Sequence, residues 1–304
     1  MTSRLILNGK SAGLPAVREA VQRVREEGTE LEVRVTWEGG DAARLAREAC
    51  HESVERVIAG GGDGSVHEVL NGMLKADAPE CPAFGILPLG TANDFATSCG
   101  IPKDLAEALR LAVNGTPVPV DVGRANEHYF MNVASGGFGA AVTTATPLNV
   151  KRLLGGAAYT LMGMIMAVNF QPHEGRLVLP DAEHEMRALV GAVGNGRQAG
   201  GGQVLAPSAF IDDGLLDVLV VREFPMDKLG AVVDELENLA GDGEFVSYYQ
   251  VPWLESHSSG KMPINLDGEP IAVESVRFEV VPKAIQLVVP ATCPLLSRQG
   301  PAVG

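Results

Sequence analysis

Positive charge is scarce in this sequence. The chain carries 24 Lys and Arg residues against 38 Asp and Glu residues, which gives a formal net charge of -14. Proteins that bind nucleic acid without sequence specificity need a surplus of cations to neutralise phosphates, so we exclude nucleic acid as a partner. The same deficit excludes broad electrostatic docking on an anionic bilayer. A lipid-directed protein of this composition needs a local apolar or basic patch instead.

Cysteine motifs are also missing. The four cysteines form no CxxC pair, and no His cluster has zinc-finger spacing. These absences exclude the common structural zinc sites and predict reduced thiols in the cytoplasm. The first apolar run, residues 5–7, is too short for the core of a signal peptide. We therefore expect a cytoplasmic protein and leave open a peripheral location at the inner face of the membrane.

Long apolar runs are rare, with one exception at residues 153–170. This segment (LLGGAAYTLMGMIMAVNF) has no charged residue and approaches the length of a membrane span. Its charge-rich flanks and the β-rich remainder of the chain favour a helix of a water-soluble domain over a transmembrane helix. Two alternatives stay open, a buried helix and a helix that lines an apolar cleft.

The first 122 residues alternate between predicted strands and helices. Short apolar or alternating runs predict strands at residues 4–7, 31–37, 56–59 and 84–87. Helical spacing and capping signals predict helices at residues 14–28, 41–52, 65–75 and 105–113. The Asp41 carboxylate is expected to cap free amides at the start of the second helix. Strands separated by helices imply right-handed crossovers and a mostly parallel sheet with helices on both faces.

The pattern changes near residue 122. Strand-like runs then dominate, and two helices interrupt them at residues 153–170 and 227–239. The predicted strands cover residues 118–122, 129–133, 176–179, 186–193, 215–221 and 276–281. This half predicts antiparallel β structure, either a sandwich or a barrel.

A glycine-rich segment, GGGDGS at residues 60–65, lies between a buried strand and a helix. Glycines let the backbone approach a phosphate, and the helix start adds free N–H groups and a positive dipole end. Four glycines within residues 60–64 exceed what a tight turn needs, which favours phosphate binding over a simple turn. No Gly-Lys-Ser/Thr follows, and His67 stands where a dinucleotide fingerprint needs its third glycine. Asp63 suits a nucleotide bound with Mg²⁺, because the metal reverses the local charge preference.

A second glycine-containing segment, PLGTANDF at residues 88–95, also follows a predicted strand. Loops at the carboxyl ends of parallel strands form the ligand crevice of such sheets, so we expect both glycine segments to face one site. Thr91 can donate its hydroxyl to a phosphate. Asn93 and Asp94 are equally consistent with a helix N-cap and with a binding role.

These segments belong to a series of motifs that extends along nearly the whole chain. The other members are VRVTW with GDA downstream, VPVDVG, NGRQAGGG, DGLLD and NLDGEP. In this order they resemble the catalytic domain shared by diacylglycerol kinases, sphingosine kinases and YegS-like bacterial lipid kinases, with the YegS-like subgroup most similar. A series in order is far more specific than any one motif. Pro119 is unusual inside its strand, Ser65 replaces the usual Thr, and His67 replaces the usual Asn.

The resemblance implies an architecture and a set of site residues. It implies an α/β nucleotide-binding domain at residues 1–122, a β-sandwich lipid-substrate domain at residues 123–287, and a tail from about residue 288 to 304 that returns to the first domain. The active site would lie in the cleft between the domains. Residues implied to contact ATP are Thr36, Gly61, Gly62, Asp63, Gly64, Ser65, Val66, His67, Glu68, Thr91 and Asp94.

The resemblance also implies the acid–base and metal-binding groups. Glu269 would accept the proton of a lipid hydroxyl, and Asp121 would support it. Asp213 and the main-chain carbonyls of Phe210 and Leu215 would hold Mg²⁺, with Ca²⁺ left open. The residues alone leave alternatives, because Asp267-Gly268 can be a plain hairpin turn with Glu269 in solvent, and Asp-Asp-Gly is ordinary turn chemistry.

The sequence therefore predicts an ATP-dependent lipid kinase whose acceptor resembles diacylglycerol or phosphatidylglycerol. Phosphoryl transfer needs positioning, charge stabilisation and a carboxylate for the acceptor, and the motifs offer all three. A kinase of a soluble acceptor such as NAD and a non-catalytic nucleotide-binding regulator are the alternatives. The GTAND and LDGE segments favour the lipid kinase over the first, and the presence of Asp63 and Glu269 disfavours the second. Lys151 and Arg152 are predicted to meet a lipid phosphate, while the lipid and the oligomeric state stay open.

Overall fold

A computed structural model describes residues 2–78, 80–136, 162 and 172–297. The chain divides into two compact units, and two of the strands, at residues 117–125 and 269–288, contain a boundary between them. Unit 1 comprises Met1–Val122, Phe210–Asp213 and Val281–Gly304, and unit 2 comprises Gly123–Ala209 and Gly214–Val280.

Unit 1 contains four parallel strands. They are β1 (Thr2–Leu7), β2 (Glu30–Val35), β3 (Arg56–Gly61) and β4 (Ala83–Pro88). β1 pairs in parallel with β2 and β3, and β3 pairs in parallel with β4. Because all four strands run the same way, the loops after their carboxyl ends lie at one edge of the sheet.

Five helices of unit 1 connect or flank these strands. They are α1 (Pro15–Glu26), α2 (Asp41–His51), α3 (Asp63–Leu74), α4 (Asp94–Ser98) and α5 (Leu105–Asn114). α1 packs beside α5, and α2 packs beside α3. In α1 the buried side chains are Val17, Ala20, Val21 and Val24, which lie on one face because they recur at helical spacing.

The alternation at residues 31–37 correctly predicts a strand, which ends at Val35. Leu31 is buried, whereas Val35 is 50% exposed and Trp37, beyond the end of β2, is 95% exposed. β2 lies at the end of the described strand order. Apolar side chains of such a strand need not be covered, since only one side of the strand has a neighbour.

The four cysteines of the chain are free thiols in unit 1. Cys81 is half-buried, whereas Cys50, Cys99 and Cys293 are buried. The Sγ atoms of Cys50 and Cys81 lie 3.5 Å apart, with Cys50 as the donor. This hydrogen bond lowers the pKa of the Cys81 thiol.

We expect iodoacetamide to alkylate Cys81 before the other three cysteines in the native protein, and its rate to rise with pH. The thiolate is the nucleophile, and Cys81 combines a lowered pKa with partial exposure. Timed quenching and peptide mass spectrometry at several pH values measure the rates. The Cys81→Ser variant is the control and should lose the fast-labelled peptide, whereas equal labelling of all four cysteines would contradict the expectation.

Unit 2 consists mainly of antiparallel strands. Its longer strands are β8 (His173–Leu179), β9 (Ala182–Gly194), β12 (Leu216–Arg222), β13 (Val246–Val251) and β14 (Trp253–Leu266). Shorter ones are β6 (His128–Phe130), β7 (Val133–Gly136), β10 (Gln198–Ala199) and β11 (Gln203–Val204). β5 (Pro117–Ala125) and β15 (Glu269–Val288) each enter unit 2 over part of their length, and α6 (Leu229–Glu237) follows a short 3-10 turn. β9 pairs with β7, β8 and β12, and β14 pairs with β7, β8 and β15, all antiparallel.

β12 is buried on both faces. Leu219 and Val221 belong to an apolar cluster with Val232 and Val233 of α6, whereas the alternate residues Leu216, Val218 and Val220 belong to a second apolar cluster. Successive side chains of a strand point to opposite faces, so each cluster receives every second residue. This double burial explains why residues 218–221 form a continuous apolar run.

The strand predicted at residues 129–133 is interrupted. β6 ends at Phe130 and β7 begins at Val133, so Met131 and Asn132 form a break between them. The main-chain amides of this break are bound by a distant carboxylate, described below, which local sequence patterns do not reveal.

The apolar segment at residues 153–170 lies outside the described residues, except for Met162, and so do Lys151 and Arg152. Met162 is 2% exposed and belongs to the apolar cluster that contains α6. Within the portion of the chain that the structure describes, no helix combines the length and apolarity of a membrane span.

Candidate functional site

The loops after β1 and β4 are bonded through main-chain atoms to the end of β3. Asn8 N, after β1, donates to Gly60 O at 2.8 Å. Leu89 N, after β4, donates to Gly61 O at 2.8 Å. The end of β3 is therefore bonded to the loops on both sides of it.

The two glycine segments lie directly against each other. A Cβ atom on Gly90 would lie 2.5 Å from Gly62 Cα, and a Cβ atom on Gly62 would lie 3.1 Å from Gly90 Cα. Only glycine allows such an approach of two backbones. The parallel arrangement predicts that these segments share one edge of the sheet, and the contact brings them together there.

The first glycine segment also packs on its own helix. A Cβ atom on Gly61 would lie 2.2 Å from Ser65 Oγ, so the side chain of Ser65 occupies the space beside Gly61. Asn8 Nδ2 donates a hydrogen bond of 3.3 Å to the same Oγ atom. The Ser65 hydroxyl is thus held between the β1 loop and the start of α3, with half-buried Gly64 beside it.

The second glycine segment is closed by Asn93. This residue has φ 51°, and its side chain accepts from Gly90 N and donates to Gly90 O, both at 2.8 Å. Asn93 occupies the N-cap position of α4, as one of the two alternatives predicts, but its side chain makes no capping hydrogen bond there. Asp63 Oδ1 accepts from Phe95 N at 3.4 Å and links the two segments again.

Thr91 and Asp94 differ in accessibility. Thr91 is exposed, while Asp94 is 6% exposed in the first turn of α4. The Thr91 hydroxyl is therefore available to a ligand.

Thr36 and Glu68 reach the same edge of the sheet. Thr36 Oγ1 accepts from Gly9 N at 3.2 Å, and a Cβ atom on Gly9 would lie 2.4 Å from Thr36 O. Glu68 Oε1 accepts from Gly40 N at 2.6 Å. Both predicted residues therefore fix neighbouring loops through main-chain amides.

Asp41 organises the loop before α2 rather than the helix itself. Its Oδ2 accepts from Trp37 N at 2.8 Å and from Glu38 N at 3.2 Å, so the expected capping of helix amides is wrong. The N-cap residue is Gly40, with φ 86°. The hydrogen bond from Arg44, together with the two loop amides, lowers the pKa of Asp41 to about 2.

Val66 and His67 have buried side chains, 5% and 9% exposed. His67 Nε2 lies 3.4 Å from Asn71 Nδ2, one turn along α3. The main-chain N of Val66 donates to Gly62 O at 3.1 Å, so the first turn of α3 already uses this N–H group. The structure places the His67 ring against α3 and not in the glycine loop.

Sequence reasoning missed Asn8 and Gly9 as parts of the site, assigned no specific role to Gly90 and left the role of Asn93 open. Each contacts a predicted site residue or closes its loop. The Asn8-Gly9 pair after β1 is a third polar, glycine-containing segment at a strand end. Its position after a predicted parallel strand could have identified this pair as part of the site, because parallel strands place all such segments at one edge of the sheet.

Glu269 belongs to unit 2 and is exposed. It is the first residue of β15 and follows a two-residue turn in which Asp267 has φ 51° and Gly268 has φ 103°. Two successive positive φ values are typical of a type I′ hairpin turn. The backbone of this segment is therefore the hairpin turn that its Asp-Gly sequence predicts.

Asp121 is 2% exposed in unit 1. Its Oδ1 accepts from Lys283 N at 2.8 Å, and its main-chain N donates to Ile211 O at 2.6 Å. Asp121 thus joins β5 to the unit 1 portions of β15 and of the segment that begins at Phe210.

The predicted metal ligands lie in a turn at residues 210–215. Asp213 is half-buried, and Gly214 has φ 76°. Neighbouring Asp212 accepts from Ser297 N at 2.7 Å through Oδ1. Over residues 2–78, 80–136, 162 and 172–297, no three or more His, Cys, Asp or Glu side chains are grouped as a metal site. The predicted set contains one carboxylate and two carbonyls, so it does not depend on such a group.

Solved structures match nearly the whole chain. A crystal structure from Bacillus anthracis str. Sterne has a TM-score of 0.79 and 24% sequence identity, and the match covers 96% of each chain. Another from the same source, described as a diacylglycerol kinase, has a TM-score of 0.73 and 23% identity, and covers 96% of this chain and 98% of that one. At this identity the likeness shows a common fold.

Family models and curated relatives identify the family to which the chain belongs. Residues 2–125 match the diacylglycerol kinase catalytic domain, and residues 132–289 match the YegS C-terminal NAD kinase beta sandwich-like domain. A Chromohalobacter salexigens protein named "Probable lipid kinase YegS-like" is 56% identical, over 97% of this chain and 95% of the relative. A Shewanella frigidimarina protein of the same name is 45% identical, over 96% of this chain and 95% of the relative. With a catalytic domain followed by a sandwich-like domain, the chain belongs to the YegS-like lipid kinase family.

Proposed function

We propose that this protein is an ATP-dependent lipid kinase that transfers the γ-phosphate of ATP to a hydroxyl of a diacylglycerol- or phosphatidylglycerol-like lipid. The main-chain contact between Gly62 and Gly90 is the observation that carries the proposal. It sets the two glycine segments side by side in front of the start of α3, and we assign the phosphate seat to this pair of segments. Curated relatives named as lipid kinases support the choice of a lipid acceptor.

Unit 1 supplies the nucleotide site in this proposal. The free N–H groups and the positive dipole end at the start of α3 attract the phosphates. We infer an α/β nucleotide-binding domain in which the two helix pairs, α1 with α5 and α2 with α3, cover opposite faces of the parallel strands. The residues assigned to ATP are Thr36, Gly61, Gly62, Asp63, Gly64, Ser65, Val66, His67, Glu68, Thr91 and Asp94.

Unit 2 supplies the proton acceptor. The Glu269 carboxylate takes the proton from the lipid hydroxyl as that oxygen attacks the γ-phosphorus. The bond from the γ-phosphorus to the β–γ bridging oxygen then breaks, and ADP leaves with the bonding electrons. Positioned acid–base assistance of this kind contributes a factor of about 100 to 10,000 in rate. Asp121 is the second acidic residue, assigned to support this step.

A divalent cation is part of the proposal. Asp213 and the carbonyls of Phe210 and Leu215 are all oxygen donors, which Mg²⁺ and Ca²⁺ prefer. The donor chemistry therefore fits either ion. When bound, the ion supplies positive charge beside the acidic pair Asp212 and Asp213.

An apolar pocket within unit 2 supports an acyl-chain acceptor. Its cavity volume is about 90 Å³. Its walls are formed largely by aliphatic side chains of the antiparallel strands, among them Ala134, Leu177, Val190, Val193, Leu254 and Ile264. Apolar walls favour hydrocarbon over a charged soluble acceptor, because burying apolar surface is favourable.

The reaction places constraints on where the protein works. ATP is consumed in the cytoplasm, and the acceptor resides in a membrane. We therefore propose a cytoplasmic enzyme that contacts the inner face of the membrane transiently.

We expect the purified protein to transfer label from γ-labelled ATP, in the presence of Mg²⁺, to diacylglycerol or phosphatidylglycerol in mixed micelles. Extraction into organic solvent and thin-layer chromatography detect the product. A parallel reaction contains NAD, and a blank contains no acceptor. Labelled NADP without labelled lipid would reverse the acceptor assignment, and ATP binding without transfer to either acceptor would indicate a regulator.

A further inference from the structure

The turn before Glu269 contains a carboxylate that turn geometry does not require. The two-residue turn joins Leu266 of β14 to Glu269 of β15, which are paired across the hairpin. Asn-Gly and Asp-Gly both suit a type I′ turn, because both tolerate positive φ. The acidic side chain of Asp267 is thus free to serve another purpose.

That side chain binds three consecutive main-chain amides. Asp267 Oδ2 accepts from Met131 N at 2.6 Å, and Oδ1 accepts from Asn132 N at 3.0 Å and from Val133 N at 2.9 Å. In return, Asp267 N donates to Val133 O at 3.2 Å. Hydrogen bonds to an ionised acceptor are stronger than neutral ones, so the turn is firmly tied to the break between β6 and β7.

The break itself is held from its other side by Asn195. This residue is 0% exposed. Its Nδ2 donates to Met131 O at 2.8 Å, and its main-chain N donates to Asn132 O at 2.9 Å. Gly196 N also donates to Asn132 O, at 2.8 Å. Asp267 therefore attaches the exposed hairpin to a main-chain segment that the buried Asn195 holds in place.

A second bond restrains the turn locally. Asn265 Oδ1 accepts from Gly268 N at 2.6 Å. Glu269 follows directly, at the start of β15 and in contact with solvent. A base on an otherwise exposed hairpin would sample many positions, and small displacements of a reacting group cost large factors in rate.

We infer that Asp267 is a positioning residue for the phosphoryl-transfer reaction, which holds the hairpin so that Glu269 stays in place. The inference rests on the proposed function, in which Glu269 is the proton acceptor. Asp267 acts through the three amides at residues 131–133 and does not touch the reactants. The Asp of the LDGE segment is then needed for its charge and not only for its turn propensity.

The Asp267→Asn variant separates these two roles. Asn has nearly the same size and tolerates positive φ, so the turn is retained. It loses the charge, and an NH₂ group replaces one of the accepting oxygens opposite main-chain N–H groups. Asp181→Asn is the matched control, because Asp181 is an exposed residue of the turn between β8 and β9.

A double-mutant cycle with Glu269→Gln tests the inference. We expect Asp267→Asn to lower kcat by about 10- to 100-fold, with KM for ATP changed less than about 3-fold. In the Glu269→Gln background we expect a further loss of less than about 3-fold, because the base that Asp267 positions is already absent. Asp181→Asn should match the wild type in both backgrounds. A role in stability alone would instead reduce the fraction of protein that binds ATP.

The outcomes separate this inference from the proposed function. Equal losses from Asp267→Asn in both backgrounds, or no loss in either, would overturn the positioning role alone. Wild-type turnover by Glu269→Gln would remove the assigned base and the positioning role with it. If Asp267→Asn does not fold, Asn265→Ala removes the 2.6 Å bond to Gly268 and should show a smaller kcat loss with the same dependence on Glu269.

Discussion

Replacing Glu269 with Gln lowers kcat for lipid phosphorylation by about 100- to 10,000-fold and leaves the affinity for ATP unchanged. Gln keeps the size of the side chain and the hairpin turn, but its amide does not accept the proton of the lipid hydroxyl. ATP affinity is retained because the residues assigned to ATP belong to unit 1, whereas Glu269 belongs to unit 2. Steady-state kinetics with labelled ATP and equilibrium dialysis with ATP measure the two quantities.

A matched control for this variant lies on the same strand. Glu274 is exposed on β15, and Glu274→Gln makes the same chemical change five residues further on. We expect its kcat to stay within about 2-fold of the wild type, as for a surface substitution outside a site. If Glu269→Gln transfers phosphate as fast as Glu274→Gln, Glu269 is not the proton acceptor.

Replacing Gly90 with Ala should weaken ATP binding by at least about 100-fold, because the alanine methyl group would force the two glycine segments apart. The new Cβ atom would lie 2.5 Å from Gly62 Cα and 2.8 Å from Asn93 Oδ1. Gly62 Cα belongs to the main chain, so the clash cannot be relieved by rotating a side chain. Isothermal titration with ATP measures the affinity, and thermal unfolding shows whether the variant is folded.

Alanine variants of two other glycines serve as controls for this prediction. A Cβ atom on Gly62 would lie 3.1 Å from Gly90 Cα, so Gly62→Ala should be milder than Gly90→Ala. A Cβ atom on Gly13, also in unit 1, would meet nothing within 4 Å, and Gly13→Ala should bind ATP like the wild type. Wild-type ATP affinity in Gly90→Ala would show that the seat between the segments is not the nucleotide site.

The elements that the sequence predicts correctly are those with local signals. The strands at β1, β3 and β4 appear as apolar runs that end in glycine or polar segments, and the structure confirms them within two residues at either end. α1 follows from the spacing of Val17, Val21 and Val24. In each case, the residues that define the element lie within one short stretch of chain.

The errors arise where a distant contact decides the outcome. Residues 129–133 have the composition of a strand, but their ladder breaks where Asp267 binds the amides of Met131 to Val133. Local patterns cannot report a partner more than a hundred residues away.

In the candidate site too, the features with a local sequence signal were predictable and the others were not. The glycine segments were predictable because their composition departs from that of ordinary turns. The closure of the second segment by Asn93 was not, because Asn before a helix usually caps it. The assignments of Glu269, Asp121 and the metal ligands come from resemblance to a family and stay predictions until the variants are measured.

The contact between Gly62 and Gly90 has a consequence for redesign. Where two loops meet through glycine main-chain atoms, there is no side chain to exchange, and any added side chain would force the loops apart. A change of nucleotide preference would require a new backbone path or a change at the rim, for example at Thr36. A change of acceptor could instead proceed through the aliphatic walls in unit 2, where many side chains are available for exchange.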